Sequence, residues 1–260
     1  IVNTLIRDAF TERHFNKWTL WNGESTQGTA MFMANIHDDI HFQLSKAPIE
    51  DAPGPEKLAR ERFFQTLSNF TDPFSKDSEN QAYDFSNKVI AWHSNMPRPI
   101  IDEVREFDLS NLDNLEHTIE GTVDANGEFN GRVKVFGEWH EDYKVRPKTL
   151  YKTRRDSAFG PFHIRIGTFE LQIGSTTLSD ELHASFKEQA EKYAGLRVYR
   201  DGLRVMPYGR VDSDYFEVEF RRSKNAGRYF WANRRMFGRV SISRENNPNL
   251  KDKAGREGFL

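Results

Sequence analysis

Three features of the sequence predict an α+β fold, a mixed sheet with its helices on one face. The first is Asn126-Gly127 set between two runs of period-two alternation. The second is an amphipathic helix pattern in "SDELHASFKEQAEKYAG". The third is the strand-prone sequence on either side of it, "GPFHIRIGTF" before and "LRVYRDGLRVMPYG" after. Strands, a helix, then further strands is the order of an α+β layer.

Taken in order, residues 17–44 read as a small antiparallel piece of sheet, because "KWTLW" and "TAMFMANI" flank the turn-rich "NGESTQG". "KAPIEDAPGPE" is punctuation, and a domain boundary is expected at about 46–56. Pro55 suits a first helical position, so "EKLARERFFQTLSNF" is expected to be a helix. In the hairpin, His117, Ile119, Gly121 and Val123 alternate with polar neighbours, as do Phe129, Gly131, Val133 and Val135 beyond the turn. A tight primed turn there requires positive φ at both Asn126 and Gly127.

Phe162, Ile164 and Ile166 then share one face of a strand. In the next helix Ser179 is the N-cap, Gly195 the stop, and Leu182, Phe186, Ala190 and Tyr193 the buried stripe. "RMFGRVSISR" is the last strand.

With 260 residues, 37% of them hydrophobic and 21 of them Phe, the chain has enough material for a sizeable core. It has no Cys, which excludes disulfides, thiolate metal sites and Cys nucleophiles and fits a reducing compartment, so a cytoplasmic location is expected. No apolar run is long enough to span a bilayer, so no membrane partner is expected. Net charge is −2, yet between Arg197 and Arg244 twelve Arg or Lys stand against five Asp or Glu. Aromatic residues interleave there: Tyr199, Tyr208, Phe216, Phe220, Tyr229, Phe230 and Trp231. That pattern suits a nucleic-acid surface. It equally suits the solvated face of a mixed sheet, with Arg stems lying over rings.

Few motifs carry chemistry. His37 and His41 in "HDDIH" have the spacing of a zinc-protease pair, but the acid is Asp38, no third ligand is evident, and the preceding sequence reads as a strand; a polar turn or strand end is expected. No nucleophile elbow, GxxxxGK loop or GxGxxG fingerprint occurs. The tail "NLKDKAGREGFL" places Lys251, Lys253 and Arg256 beside a Gly, which suits either a solvated loop or contact with an anion. The chain starts at Ile1 without a Met and stops with no closing helix, so we read it as a piece of something longer.

The elements "YRDGLRVMPYG", Arg221-Arg222, "GRVSISRENNP" and "LKDKAGREG" resemble the region after the nucleotide-binding domain in bacterial relatives of the MORC proteins. These belong to the GHKL ATPases (gyrase, heat-shock chaperone, histidine kinase, MutL). "LSNFTDPF", "HTIEGTVDANGEFNGRVKV" and "FGPFHIRI" fit the same family in order, so the likeness covers about residues 60–260. It implies that 56–260 is a transducer domain with the fold of ribosomal protein S five, domain two. Residues 1–50 would then be the closing strands of a Bergerat-type ATP-binding domain. "SDYFEVEF" departs from the "DDWLGLD" expected before the paired Arg.

By the same resemblance, Arg256 is the catalytic and phosphate-sensing cation, as in the chaperones, with Lys253 or Lys251 as the MutL-like alternatives. The cofactors implied are ATP and Mg²⁺, with the adenine and metal ligands outside this chain. This chain alone is therefore expected neither to bind nor to hydrolyse ATP appreciably. The implied partners are the chain's own N-terminal ATPase domain, a second copy in an ATP-dependent homodimer, and DNA.

Overall fold

The chain is α+β in a computed structural model describing residues 10–45, 51–67, 70, 72, 87–93, 95–102, 113–148, 158–210, 213–228 and 231–251. The helices are α1 (Glu12–Phe15), α2 (Asp38–Gln43), α3 (Gly54–Leu67), α4 (Asp180–Tyr193) and α5 (Val218–Lys224), with a 3-10 turn at Asn233–Arg235. The strands are β1 (Lys88–His93), β2 (Met96–Asp102), β3 (His117–Val123), β4 (Phe129–Val135), β5 (Glu138–Val145), β6 (Phe162–Thr168), β7 (Gly195–Arg200), β8 (Leu203–Val205) and β9 (Phe237–Ile242). Two compact units divide the chain: Ile1–Arg60 with Val89–Ile100, and Glu61–Lys88 with Ile101–Leu260. Among the described residues, no helix is long and apolar enough to cross a membrane.

The first unit differs from the sheet expected over 17–44, since no strand forms among residues 10–45. The apolar residues pack ring against ring instead of alternating across a ladder. Phe10 meets Phe15, Trp18 and Phe32, while the His14 ring lies tilted against Trp92 at 4.2 Å. Trp18 closes a turn by accepting from the N–H groups of Trp21 and Asn22. The sheet in this region is β1–β2, which sequence reading did not anticipate.

The second unit is built on a seven-stranded mixed sheet in the order β5-β4-β3-β6-β9-β7-β8, in which β7 and β9 run parallel and the other neighbours antiparallel. The β3–β4 hairpin forms where expected, with Val123 opposite Phe129, whereas a two-residue turn at Asn126-Gly127 would have set Val123 opposite Asn130. Its turn is of another type. Within the loop only Gly127 has positive φ, at +80°, so Asn126 stays right-handed. Asp124 decides this: its carboxylate accepts from Asn126 N at 2.9 Å and Glu128 N at 2.8 Å, which winds a type I turn ending on Gly127.

Helix α4 starts where its N-cap places it, with Ser179 Oγ accepting from Leu182 N at 3.3 Å. Its stripe of Phe186 and Ala190, with Leu182 and Tyr193, packs on Leu115, Phe169, Ala194 and Phe237. A second cluster joins Leu196, Val198, Val205, Val240 and Ile242 to Phe162, Ile164, Ile166, Tyr208, Phe216 and Leu250.

In-register neighbours share a sheet face, so the pairings define two different faces. One face carries Val133, Ile119, Ile166, Gly238 and Leu196 in a row, and is apolar. The other carries Arg132, Glu120, Arg165, Arg239 and Arg197 in the adjacent row, one charged residue per strand across β4, β3, β6, β9 and β7. Phe237 lies two residues from Arg239 on that second face, so α4 packs on the charged side.

Candidate functional site

The cationic stretch 197–244 is split by the fold into a buried half and an exposed half. Arg197, Arg200, Arg204 and Arg239 are buried, together with Tyr199 and Tyr208. These strand residues form neither a nucleic-acid surface nor a solvated sheet face, because both faces of β7 and β9 are covered. Each buried guanidinium is costly to desolvate. Burial, then the like charges of Arg197 and Arg210, lowers the pKa of Arg204 to about 9, and burial lowers that of Arg239 to about 10.

Their partners come from elements that sequence reading did not associate with them. Arg197 Nη1 donates to the Tyr193 carbonyl at 2.6 Å, satisfying a last-turn acceptor of α4. Arg239 forms a buried ion pair with Asp72. Asp72 is brought there by backbone pairing: its N–H donates to Gly202 O, and Phe70 O accepts from Arg204 N, both at 2.8 Å. Phe70 and Asp72 thereby border the β8 edge.

The exposed half lies on α5, the turn after it and the 3-10 turn. Arg221, Lys224, Arg228 and Arg234 are exposed there. Glu217 and Glu219 hold Arg221 and Arg222 at 3.4 and 3.2 Å, and Lys224 Nζ lies 4.1 Å over the Phe220 ring. Glu219 also accepts from Asn233 N at 2.8 Å, fastening α5 to the 3-10 turn. Burial, then the like charges of Arg222 and Arg234, pushes down the pKa of Arg235 beneath this surface.

The third element is the foot of the tail. From β9, an interior strand of the sheet, the chain enters a turn over 243–250, and Leu250 packs against the apolar cluster. Lys251 follows, exposed. Lys253 and Arg256 lie outside the described residues.

His37 and His41 do not lie on a strand or strand end: α2 begins at Asp38, and the His37 carbonyl accepts from Ile40 N and His41 N. Five residues of bend and coil separate Phe32 from this helix, and "DDIHFQ" has no strand to pair with. Among the described residues no three His, Asp or Glu side chains are grouped to hold a metal.

Glu116 is a further buried charge that the sequence did not single out. It accepts from Glu170 N at 2.8 Å, Thr177 N at 2.5 Å and Thr177 Oγ1 at 2.9 Å, fixing the loop that leads into α4. The chain matches no family model, no curated protein and no solved structure. An α+β unit with a mixed sheet, buried strand arginines and an exposed cationic knob is what the fold itself defines.

Proposed function

We propose that this chain is the transducer portion of a GHKL, MORC-like ATPase, with an S-five-like fold in residues 56–260 and the end of an ATP-binding domain before it. Its tail senses the γ-phosphate of ATP held by the preceding domain. The observation that carries the reading is the exit of β9, an interior strand of the sheet, into an anchored turn, with exposed Lys251 at the foot of the Lys/Arg-rich tail. A cation so mounted suits a terminal phosphate, where it stabilises developing negative charge and reports the phosphate's presence to the sheet. ATP with Mg²⁺ supplies the phosphoryl group; its adenine and metal ligands belong, on this reading, to the upstream domain and not to this chain. Dimer closure on ATP, and a cytoplasmic location, are parts of the same proposal.

The test is ATP binding and turnover by the longest natural chain containing these residues, with and without Arg256→Ala. Retained binding with turnover reduced at least about a hundredfold, the scale of a lost transition-state charge contact, supports the reading. Unchanged turnover in Arg256→Ala, Lys253→Ala and Lys251→Ala removes it.

A second reading, nucleic-acid binding, is favoured by the exposed cations around α5. It narrows from the whole 197–244 stretch to Arg221, Lys224, Arg228 and Arg234, because the strand arginines are inside. Binding of a labelled DNA duplex should weaken with salt, and Lys224→Glu with Arg234→Glu should reduce the log–log slope by about two. Binding indifferent to both substitutions would sink it.

A further inference from the structure

The motif "RENNP" after β9 is unusually well tied down for a surface turn. Asn247 is 2% exposed. Its Oδ1 accepts from Gly160 N at 2.7 Å and its Nδ2 donates to Pro161 O at 2.9 Å. One side-chain amide thus satisfies an N–H and a carbonyl of the two residues entering β6, much as a neighbouring strand would. The fit leaves no room for a side chain at Gly160, because the Asn246 carbonyl occupies the place of its Cβ.

The turn is also closed on itself. Asn247 N donates to Ser243 O at 3.0 Å, Leu250 N to Asn247 O at 3.3 Å, and Asn246 N to Ser243 Oγ at 3.2 Å. Arg244 N donates to Asp201 Oδ1 at 2.9 Å, which joins it to the β7–β8 turn, and Leu250 is set in the apolar cluster. Lys251 follows one residue later. A tail serving only as a solvated end could leave β9 without a buried polar clamp, whose amide costs free energy to desolvate unless both hydrogen bonds form.

We infer that Asn247 is a positioning residue: it locks the foot of the cationic tail to the entry of β6. Lys251, four residues on, thereby leaves an anchored turn, and a pull on the tail is passed to β6, which pairs with both β3 and β9. This rests on the phosphate-sensing reading of the tail and adds the means by which that signal enters the sheet.

Hydrogen exchange of the longest natural chain, with and without a non-hydrolysable ATP analogue, tests it alongside steady-state turnover. In the unsubstituted protein the analogue should raise protection at the tail foot, 243–251, and at the β6 entry, 159–162, together. In Asn247→Ala the tail foot should still respond while the β6 entry does not, and kcat should fall about tenfold or more with KM for ATP unchanged. A purely structural asparagine would lower protection at both places without separating their responses.

Asn247→Ser, too short to span both partners, serves if the Ala variant does not fold. Coupled protection and normal kcat in a folded Asn247 variant overturn the inference while an inactive Arg256→Ala leaves the sensing reading standing. If all three tail cations prove dispensable, the sensing reading fails and this inference fails with it.

Discussion

Gly121 and Gly131 face each other directly across β3 and β4, and the ring of Phe129 lies over both. A methyl group at either glycine would come within 2.6 Å of the opposite Cα and 2.8 Å of that ring. The pair makes a trough in the sheet, and Phe129 fills it. Gly121→Ala and Gly131→Ala should each destabilise the protein by about 1–3 kcal/mol, the usual cost of overpacking. A urea titration of each variant measures this; full stability in either would show that the trough can open freely.

The Asp72–Arg239 pair is buried on both sides. Removing one member of such a pair strands the other charge and costs about 3–5 kcal/mol. Asp72→Ala should accordingly lower Tm by on the order of 10 °C. Adding Arg239→Met should recover much of that loss, because the uncompensated cation is then gone. A double variant no more stable than Asp72→Ala would argue against the charge as the cause.

Glu116 gives a pH signature. Burial raises its pKa, but hydrogen bonds from the Thr177 and Glu170 N–H groups and the Thr177 and Thr176 side chains outweigh it, so the net shift is below 4.5. A carboxylate with a depressed folded pKa stabilises the fold above the unfolded value, and that contribution is lost as pH falls through the folded value. Glu116→Gln should cost about 1–3 kcal/mol at pH 7. Its deficit should shrink below pH 4.5, as chemical denaturation at a series of pH values can follow. A deficit constant from pH 7 to 3 would contradict the assignment.

The β3–β4 turn separates two turn types by substitution. Only Gly127 has positive φ, so Gly127→Ala should cost about 1–2 kcal/mol, the penalty for a side chain in the left-handed region. Asn126→Ala should cost much less, since Asn126 is right-handed and only its side-chain contact to Asp124 is lost. Equal sensitivity at both positions in thermal melts would instead indicate the primed turn.

Local signals were legible wherever one element's pattern is set by one neighbour. The β3–β4 hairpin, the α4 cap at Ser179 and the buried stripe through Phe186 and Ala190 all follow from alternation and helical spacing. The β1–β2 pair was hidden because Pro97 and Pro99 lack the N–H groups that mark a strand. The strand expected around Phe32 failed for the opposite reason: its residues suit a ladder, but aromatic packing on Phe10 and His14 takes them instead.

By itself, the sequence determined the α+β class, the main hairpin and helix α4, since these depend on contacts between residues near in the chain. Only the tertiary structure decided which arginines are inside and what holds them. Arg197 and Arg239 become neighbours through a parallel pairing of distant strands, Asp72 reaches Arg239 across 167 residues, and Asn247 meets Gly160 at a separation of 87. Composition counts such residues as surface charge and polar loop. Burial turns them into partners, because a desolvated cation or amide is tolerated only where a long-range fold delivers its complement.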